Sequence, residues 1–490
     1  MRHGLLASLL LFTPPSTALV PAHEPAAFSF RHDGILGTSL DLTFVADSRA
    51  EAEEAEAVAL TEIERVRRLI STWDPSSEVS RLQREGRLDS ASSELRRVLE
   101  LYATWTARTG GAYSARVGGL VRMWKEAERT GIEPDGATLA RAVEALREPA
   151  WAIDDRSGAV RLMSRAPFDL NSLGKGFILD LAVKAVQQTT TGVRGGLINI
   201  GGDIRSWGVA TSGAPWRIAI ANPLRSADNA PGIATLGLGT AAVSTSGGYA
   251  RGFEVGGKHY SHIIDARTGR PAGEVIGATV IARDNATANA LATSLSMLGV
   301  ADGLALVATQ PGAECLLVTA SGDVIRSPGF SRFEVGVVAA PRTASEVAAT
   351  IAIDITPAVW SRHRPYMAAW VTDTTGRHIR TLAVWGDRPK YLRELSKWWS
   401  LDVISPSLVD AVARATRAAG KYTLEWDGTD QADAPVPPGA YQFWLEVAFE
   451  NGAHSLRSVV VTCGSTPGSG VMPAADAFAG AQVDCVAKKS

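Results

Sequence analysis

Histidine is the side chain whose ordinary pKa lets it take and give protons near neutrality, and His262 is the one among eight whose neighbours could use that property. In Tyr260-Ser-His-Ile-Ile-Asp-Ala-Arg-Thr-Gly-Arg-Pro271 the pair Ile263-Ile264 seeks burial, whereas His262, Asp265 and Arg267 seek water or partners. The pattern predicts a strand end that delivers polar groups to a cleft. The same residues would also serve as a hairpin rim around a satisfied histidine. A second candidate is Phe168-Asp-Leu-Asn-Ser-Leu-Gly-Lys-Gly-Phe177, continuing to Val186. It predicts a strand ending near Leu170, a turn at Gly174-Lys175-Gly176 and an amphipathic helix beyond. Free amides at a helix start attract anions, and an adjacent lysine adds to the attraction, so phosphate binding is expected there. The Walker spacing is absent. Two further stretches carry oxygen donors. Gly196-Leu-Ile-Asn-Ile-Gly-Gly-Asp203 reads as a strand breaking into glycine, and Asn289 and Thr293, four residues apart, share one face of a helix from Asn285 to Leu298.

The elements that must position these groups are legible in part. Alternation over Gly37–Val45 predicts a strand. Asp47 is the expected cap of a long helix in which Leu60, Ile63, Val66 and Ile70 recur at helical spacing. A polar loop follows, Ser71-Thr-Trp-Asp-Pro-Ser-Ser-Glu-Val-Ser-Arg-Leu82, in which Trp73 could face a flat ligand or simply connect two helices. A helix from Ser93 to Thr109 leads to Gly110-Gly-Ala-Tyr-Ser-Ala-Arg-Val-Gly-Gly-Leu120, whose glycines permit close backbone approach. Trp151–Asp154 and Ala159–Met163 read as a hairpin. Strands are also expected at Trp216–Pro223, Ala241–Tyr249 and Gly277–Ala282.

The 490 residues are 46% hydrophobic and 20% charged, ordinary globular composition with room for two or three domains. The net charge of −2 argues against a nucleic-acid surface. Residues 1–22 have a basic start, a short apolar core and a Pro-Pro-Ser-Thr-Ala stretch, the pattern of a signal peptide, and no later stretch reads as a transmembrane helix. Export as a soluble protein is expected. Among three cysteines there is no Cys-x-x-Cys; Cys463 and Cys485 could pair in an oxidising compartment, and Cys315 reads as a buried strand thiol.

Taken in order, Ser-Thr-Trp-Asp-Pro-Ser-Ser-Glu-Val-Ser-Arg-Leu, Gly-Lys-Gly-Phe, Asn-Ile-Gly-Gly-Asp, Ser-Thr-Ser-Gly-Gly-Tyr-Ala-Arg, Ser-His-Ile-Ile-Asp-x-x-Thr-Gly and Asn-Ala-Leu-Ala-Thr resemble the ApbE family of FAD:protein FMN transferases over residues 27–335. The resemblance implies an α+β, T-fold-related flavin transferase domain in an exported, periplasmic protein. It implies FAD as substrate, Mg2+, transfer of FMN to a threonine or serine hydroxyl of a target flavoprotein, and loss of AMP. A flavin-scavenging protein that binds or hydrolyses FAD is the other function these motifs would serve. By resemblance, His262 and Lys175 are catalytic; Leu36, Trp73, Ala112, Tyr113, Ser114, Asn171, Phe177 and Ile264 line FAD; Gly174 (through its carbonyl), Asn289 and Thr293 hold the metal. The chain departs from the family pattern at Asn289 and Ser114, where aspartate is usual, at Arg116 for threonine, and at Ala266 for proline. With the charge at Asn289 lost, metal affinity should fall, or a nearby acid such as Asp284 or Asp203 must compensate.

Arg342–Glu346 reads as a junction. Beyond it, alternating runs at Ala349–Ile355, Tyr366–Thr372 and Ile379–Val384 predict an all-β, immunoglobulin-like sandwich over 345–463, with Trp370, Trp385, Trp426 and Trp444 inside and a short helical insert from Lys390 to Trp399. Thr423–Asp430 and Pro435–Val447 resemble the closing hairpin of the module in flagellar hook-cap proteins, and an uncharacterised domain often fused to ApbE-type enzymes. His363 and His378 are lone histidines, and docking of the target protein is the functional expectation for this part. Residues 464–490, rich in Gly, Ala, Pro and Ser, are expected to be a flexible tail.

Overall fold

The computed structural model describes residues 25–487, except 148, 212, 226, 249–251, 336–346, 357–364, 387–391, 402–412, 415–419 and 451. The segment expected to be a signal peptide, the expected junction Arg342–Glu346, His363 and the Tyr-Ala-Arg end of one motif lie outside these residues. The chain divides into two compact units, the first comprising 1–216, 238–317 and 326–328, the second 217–237, 318–325 and 329–490.

In the first unit, six strands stand side by side in chain order: Ala26–Ile35, Thr38–Ala46, Val193–Ile200, Asp203–Trp207, Ala241–Gly247 and Val275–Ala282. Each pairs antiparallel with the next. Among the described residues, seven helices belong to this unit: α1 (Arg49–Ile70), α2 (Glu78–Glu85), α3 (Ser93–Arg108), α4 (Gly118–Thr130), α5 (Gly136–Arg147), α6 (Asn171–Thr189) and α7 (Asn285–Ala308). α1 buries Ala52, Ala55, Ala59, Ile63, Val66 and Ile70, the helical spacing of one apolar face. Its cap is Ser48, whose hydroxyl accepts from Glu51 N, and not Asp47.

Two sequence expectations are corrected here. Gly174, Lys175 and Gly176 are not a turn after a strand; they lie inside α6, which begins at Asn171 without a preceding strand. The glycine at 176 answers a packing demand, since a Cβ there would lie 2.6 Å from the Asn285 carbonyl oxygen of α7. α7 is long and apolar enough to cross a membrane, which the sequence reading did not anticipate. Every residue from Ala288 to Ser296 is buried, however, so in this fold it is a core helix.

In the second unit, the strands Val347–Ile355, Gly420–Trp426, Gly468–Met472 and Gly480–Ala487 form one sheet, and Tyr366–Asp373, His378–Trp385, Ala413–Arg414, Gly439–Ala448 and His454–Cys463 another. Val347, Ala349, Ile351, Ile353 and Ile355 alternate into the shared core, the period-2 signature of a strand with one buried face. Trp370, Trp385 and Trp426 are buried, and Trp444 stacks on Trp370 while remaining partly exposed. The residues after Gly464 are not a flexible tail: Gly480–Ala487 pairs with Val347–Asp354 and with Gly468–Met472, and Ala481, Val483 and Cys485 enter the core. Cys485 is disulfide-bonded to Cys463. The loop between Trp216–Ile220 and Ala234–Leu238 covers the open edge of Gly420–Trp426. Asp228 N donates to Thr423 O (2.7 Å) and Asn229 Oδ1 accepts from Glu425 N (2.8 Å), so the middle of that edge is occupied.

Candidate functional site

The first unit gathers its polar groups where three elements meet: the start of α6, the turn into Asp203–Trp207, and the first two turns of α7. Gly201 and Gly202 have φ of +61° and +100°, values that side chains rarely adopt. Asn199 Oδ1 accepts from Gly202 N at 2.9 Å and closes the turn. This reversal delivers Asp203 to the buried side, where Ser244, Lys175 and Asn289 act on its carboxyl, and the Ser244 hydroxyl donates to Asn285 Oδ1 at 3.3 Å. Burial pushes its carboxyl up to about 6, against the opposing pull of Ser244, Lys175 and Asn289. Ser246, two residues beyond Ser244 on the same strand face, lies 3.3 Å from Thr293 Oγ1. Asn289, Thr293 and Asp203 are all buried.

A second layer fixes α7 in place. Asp180 of α6 accepts from Asn285 N (2.8 Å) and Ala286 N (2.9 Å), capping the helix start with a carboxylate from another helix. Burial raises its pKa to about 6, and the two amides and Arg205, 3.6 Å away, oppose that rise. Asn285 Nδ2 donates to Ile204 O (2.8 Å) and Val243 O (3.2 Å), tying α7 to two adjacent strands. Asp284 is occupied as the N-cap, accepting from Thr287 N at 2.8 Å.

The histidine segment is attached through its backbone. Lys258–Ser261 and Ile264–Asp265 flank His262, which is exposed, and Ile264 is buried with Leu120, Trp124, Leu139, Phe253 and Val255. Asp265 accepts from Arg267 N (2.8 Å) and pairs with the Arg267 guanidinium (2.7 Å), which rigidifies the turn. Ala266 N donates to Ala112 O at 3.0 Å, and Asp169 N donates to Ala115 O at 2.7 Å. The loop Ala112–Ala115 therefore joins the histidine turn to the start of α6. Ala112 and Tyr113 are buried, and the Tyr113 ring stacks on Tyr102, whose hydroxyl lies 3.1 Å from Ser172 Oγ. Burial raises both phenol pKa values. Gly248, whose added Cβ would strike Ser261 Oγ, brings the end of Ala241–Gly247 against the residue before His262.

Of the residues expected from sequence, Lys175, Asn289 and Thr293 are thus drawn into one cluster with Asp203. Ala112, Tyr113, Ser114, Asn171, His262 and Ile264 lie on the connected loop system, with Gly174 and Phe177 buried in the first turns of α6. The bonds described do not reach Leu36 or Trp73. Leu36 has φ +51° in the first hairpin turn, and Trp73 is 75% exposed with the Lys125 ammonium 5.5 Å from its ring. Sequence reading missed Asp180 and Asn285 as supports; the signal was an acid set among apolar residues on α6 and an amide directly after an N-cap. No group of three or more His, Cys, Asp and Glu suited to a metal occurs among the described residues. Asp203, Asn289 and Thr293 instead form an oxygen-only donor set, which fits a hard divalent cation rather than zinc.

The fold and these donors define an α+β protein with a buried set of oxygen donors and an exposed histidine, His262. Residues 36–317 match the ApbE family, and 348–477 match the family described as "Predicted periplasmic protein (DUF2271)". The chain belongs to the ApbE family. It is 29% identical over 347 residues to the FAD:protein FMN transferase of Klebsiella pneumoniae strain 342, spanning 68% of this chain and 97% of that one. The Vibrio cholerae enzyme of the same name is also 29% identical, over 68% of this chain and 98% of its own. The crystal structure of the ApbE protein of Thermotoga maritima aligns at a TM-score of 0.56 with 28% identity, covering 63% of this chain and all (100%) of that chain. The flavin transferase ApbE of Vibrio cholerae aligns at 0.52 with 26% identity, over 63% of this chain and 99% of that one.

Proposed function

We propose that this chain is a periplasmic, magnesium-dependent FAD:protein FMN transferase that modifies a threonine or serine of an exported or membrane flavoprotein and releases AMP. The observation that carries the reading is the buried oxygen-donor set of Asp203, Asn289 and Thr293, with the Lys175 charge acting on Asp203, in a family whose relatives bear that name. The match of residues 348–477 to a predicted periplasmic family supports the compartment.

Phosphoryl transfer needs mainly positioning and charge neutralisation. Bound Mg2+ would polarise the FAD pyrophosphate and offset its charge. Asn289 and Thr293, with the Gly174 carbonyl, would hold the cation, and Lys175 would add positive charge beside the phosphates. The loop Ala112–Ser114, with Asn171, Phe177, Ile264, Leu36 and Trp73, would seat FAD. The acceptor hydroxyl oxygen then bonds to the phosphorus of the FMN half, the anhydride P–O bond breaks towards AMP, and the hydroxyl proton passes to His262. Exposure of His262 supports this role, because the acceptor is a second protein.

The test is incubation of the full chain with FAD, MgCl2 and a candidate flavoprotein, followed by intact mass of the acceptor. One FMN per acceptor, less one water, is expected, with AMP in equal amount. Free FMN and AMP beside an unmodified acceptor would replace the transferase by an FAD hydrolase. His262→Ala should lower transfer by about 10²–10⁴ while leaving FAD affinity unchanged; equal loss of both would make His262 a structural residue.

A further inference from the structure

The buried oxygen donors that α7 offers a cation, Asn289 and Thr293, are both uncharged, so the cation needs its charge from elsewhere. Three acids surround the start of that helix, and two are committed. Asp284 caps α7 through Thr287 N at 2.8 Å, and Asp180 holds Asn285 N and Ala286 N at 2.8 and 2.9 Å. We propose that Asp203, at the head of the strand Asp203–Trp207, supplies the carboxylate of the divalent-cation site in this chain, with Asn289 as its neutral partner. This inference rests on the transferase reading above and deepens it.

Geometry supports the assignment. Asp203 is 8% exposed; the carbonyl of the next residue, Ile204, accepts from Asn285 Nδ2 at 2.8 Å, one helical turn before Asn289, and Ser244, Lys175 and Asn289 act on the Asp203 carboxyl. Backbone amides anchor Asp180, whereas rotatable side chains face Asp203, so its oxygens can turn to a cation without breaking a helix cap. Thr293 stands one turn along from Asn289 on the same face, with its hydroxyl against Ser246. An amide at 289 is also what a carboxylate at 203 tolerates in the absence of metal: its Nδ2 can donate to Asp203 while Oδ1 remains an oxygen ligand. Aspartate at 289 would set two carboxylates against each other until a cation bridged them.

The test uses the full chain with FAD present and Mn2+ as the probe, its free concentration read by electron paramagnetic resonance, alongside thermal melts with and without MgCl2. Asp203→Asn should weaken Mn2+ binding roughly tenfold or more and abolish the rise in melting temperature with Mg2+, while melting without metal at or above the wild-type temperature. Asn289→Asp should tighten Mn2+ binding and lower the metal-free melting temperature. The swap Asp203→Asn/Asn289→Asp, which returns the carboxylate to α7, should recover most of the affinity. Mn2+ affinity of Asp203→Asn within about twofold of wild type would overturn the assignment and leave the transferase reading standing. A swapped variant that folds but stays as weak as the single one would overturn it too. Wild type that takes up no Mn2+ in the presence of FAD would instead sink the magnesium-dependent reading on which the assignment depends.

Discussion

Each unit buries a carboxylate, and the two are satisfied in opposite ways. In the sandwich, Glu446 is fully buried and accepts from Lys397 N (3.0 Å), Trp398 N (2.8 Å) and His454 Nε2 (2.8 Å). Those amides open the short helix Ser396–Trp399, whose Trp398 fills the cluster formed by Tyr366, Trp370, Leu392 and Leu395. Glu446 is closed: two of its partners are backbone amides, Lys397 N and Trp398 N, which fix its position. Asp203 faces two neutral side chains and one lysine, all able to turn. A buried acid held by amides organises the chain, whereas a buried acid held by side chains can exchange partners for a ligand.

The largest effect should therefore come from breaking the closed group. Glu446→Ala strands two helix-start amides and removes the acid that His454 faces. Loss of one partner from a buried charged network costs about 3–5 kcal/mol. The sandwich transition should fall accordingly in urea, and by the same amount with and without Mg2+. A loss under about 1 kcal/mol would show that the amides find water and that the group is not closed. Asp180→Ala comes next. It removes the cap that holds Asn285 and Ala286 and should cost about 2 kcal/mol, again independent of Mg2+. Mg2+ dependence of that loss would place Asp180 in the cation site and weaken the case for Asp203.

Only the Asp203 side of this contrast was legible in the sequence, and the unread part has a physical cause. The helix face shared by Asn289 and Thr293 follows from their spacing, and the Gly-Gly break before Asp203 follows from the left-handed turn that glycine permits. The disulfide between Cys463 and Cys485 was an open possibility that the structure realises. Gly174-Lys175-Gly176 was misread because local propensity assigns glycine to turns; the requirement at Gly176 comes from the Asn285 backbone, far along the chain. Residues after Gly464 were misread for a similar reason. Gly470 lies where a Cβ would meet the Val459 side chain, so low side-chain bulk there serves strand packing rather than disorder. In the same way, the loop 221–233 covers the edge strand Gly420–Trp426 through Asp228 and Asn229, a partnership that no local pattern announces.

The smallest effect concerns His378, which Thr381 links to Trp398. Its Nε2 lies 3.0 Å from Thr381 Oγ1, and the same oxygen accepts from Trp398 Nε1 at 3.2 Å. The indole can only donate, so the threonine hydroxyl is free to donate its own proton to His378, which requires a bare Nε2. Burial lowers the imidazole pKa from 6.5 to about 4, in keeping with a neutral ring. Between those values the unfolded chain binds the proton and the folded one does not. Stability from this group is therefore complete above about pH 6.5 and declines as the pH falls towards 4. His378 is only half-buried, so solvent screening reduces the loss to about 1–2 kcal/mol. In His378→Gln the amide oxygen can still accept from Thr381, and the sandwich transition should lose this pH dependence while keeping its stability at pH 7.5. Matching profiles for wild type and variant from pH 7.5 to 4 would mean that His378 titrates normally. The Thr381 proton would then point elsewhere, and the link from Trp398 to His378 would be broken.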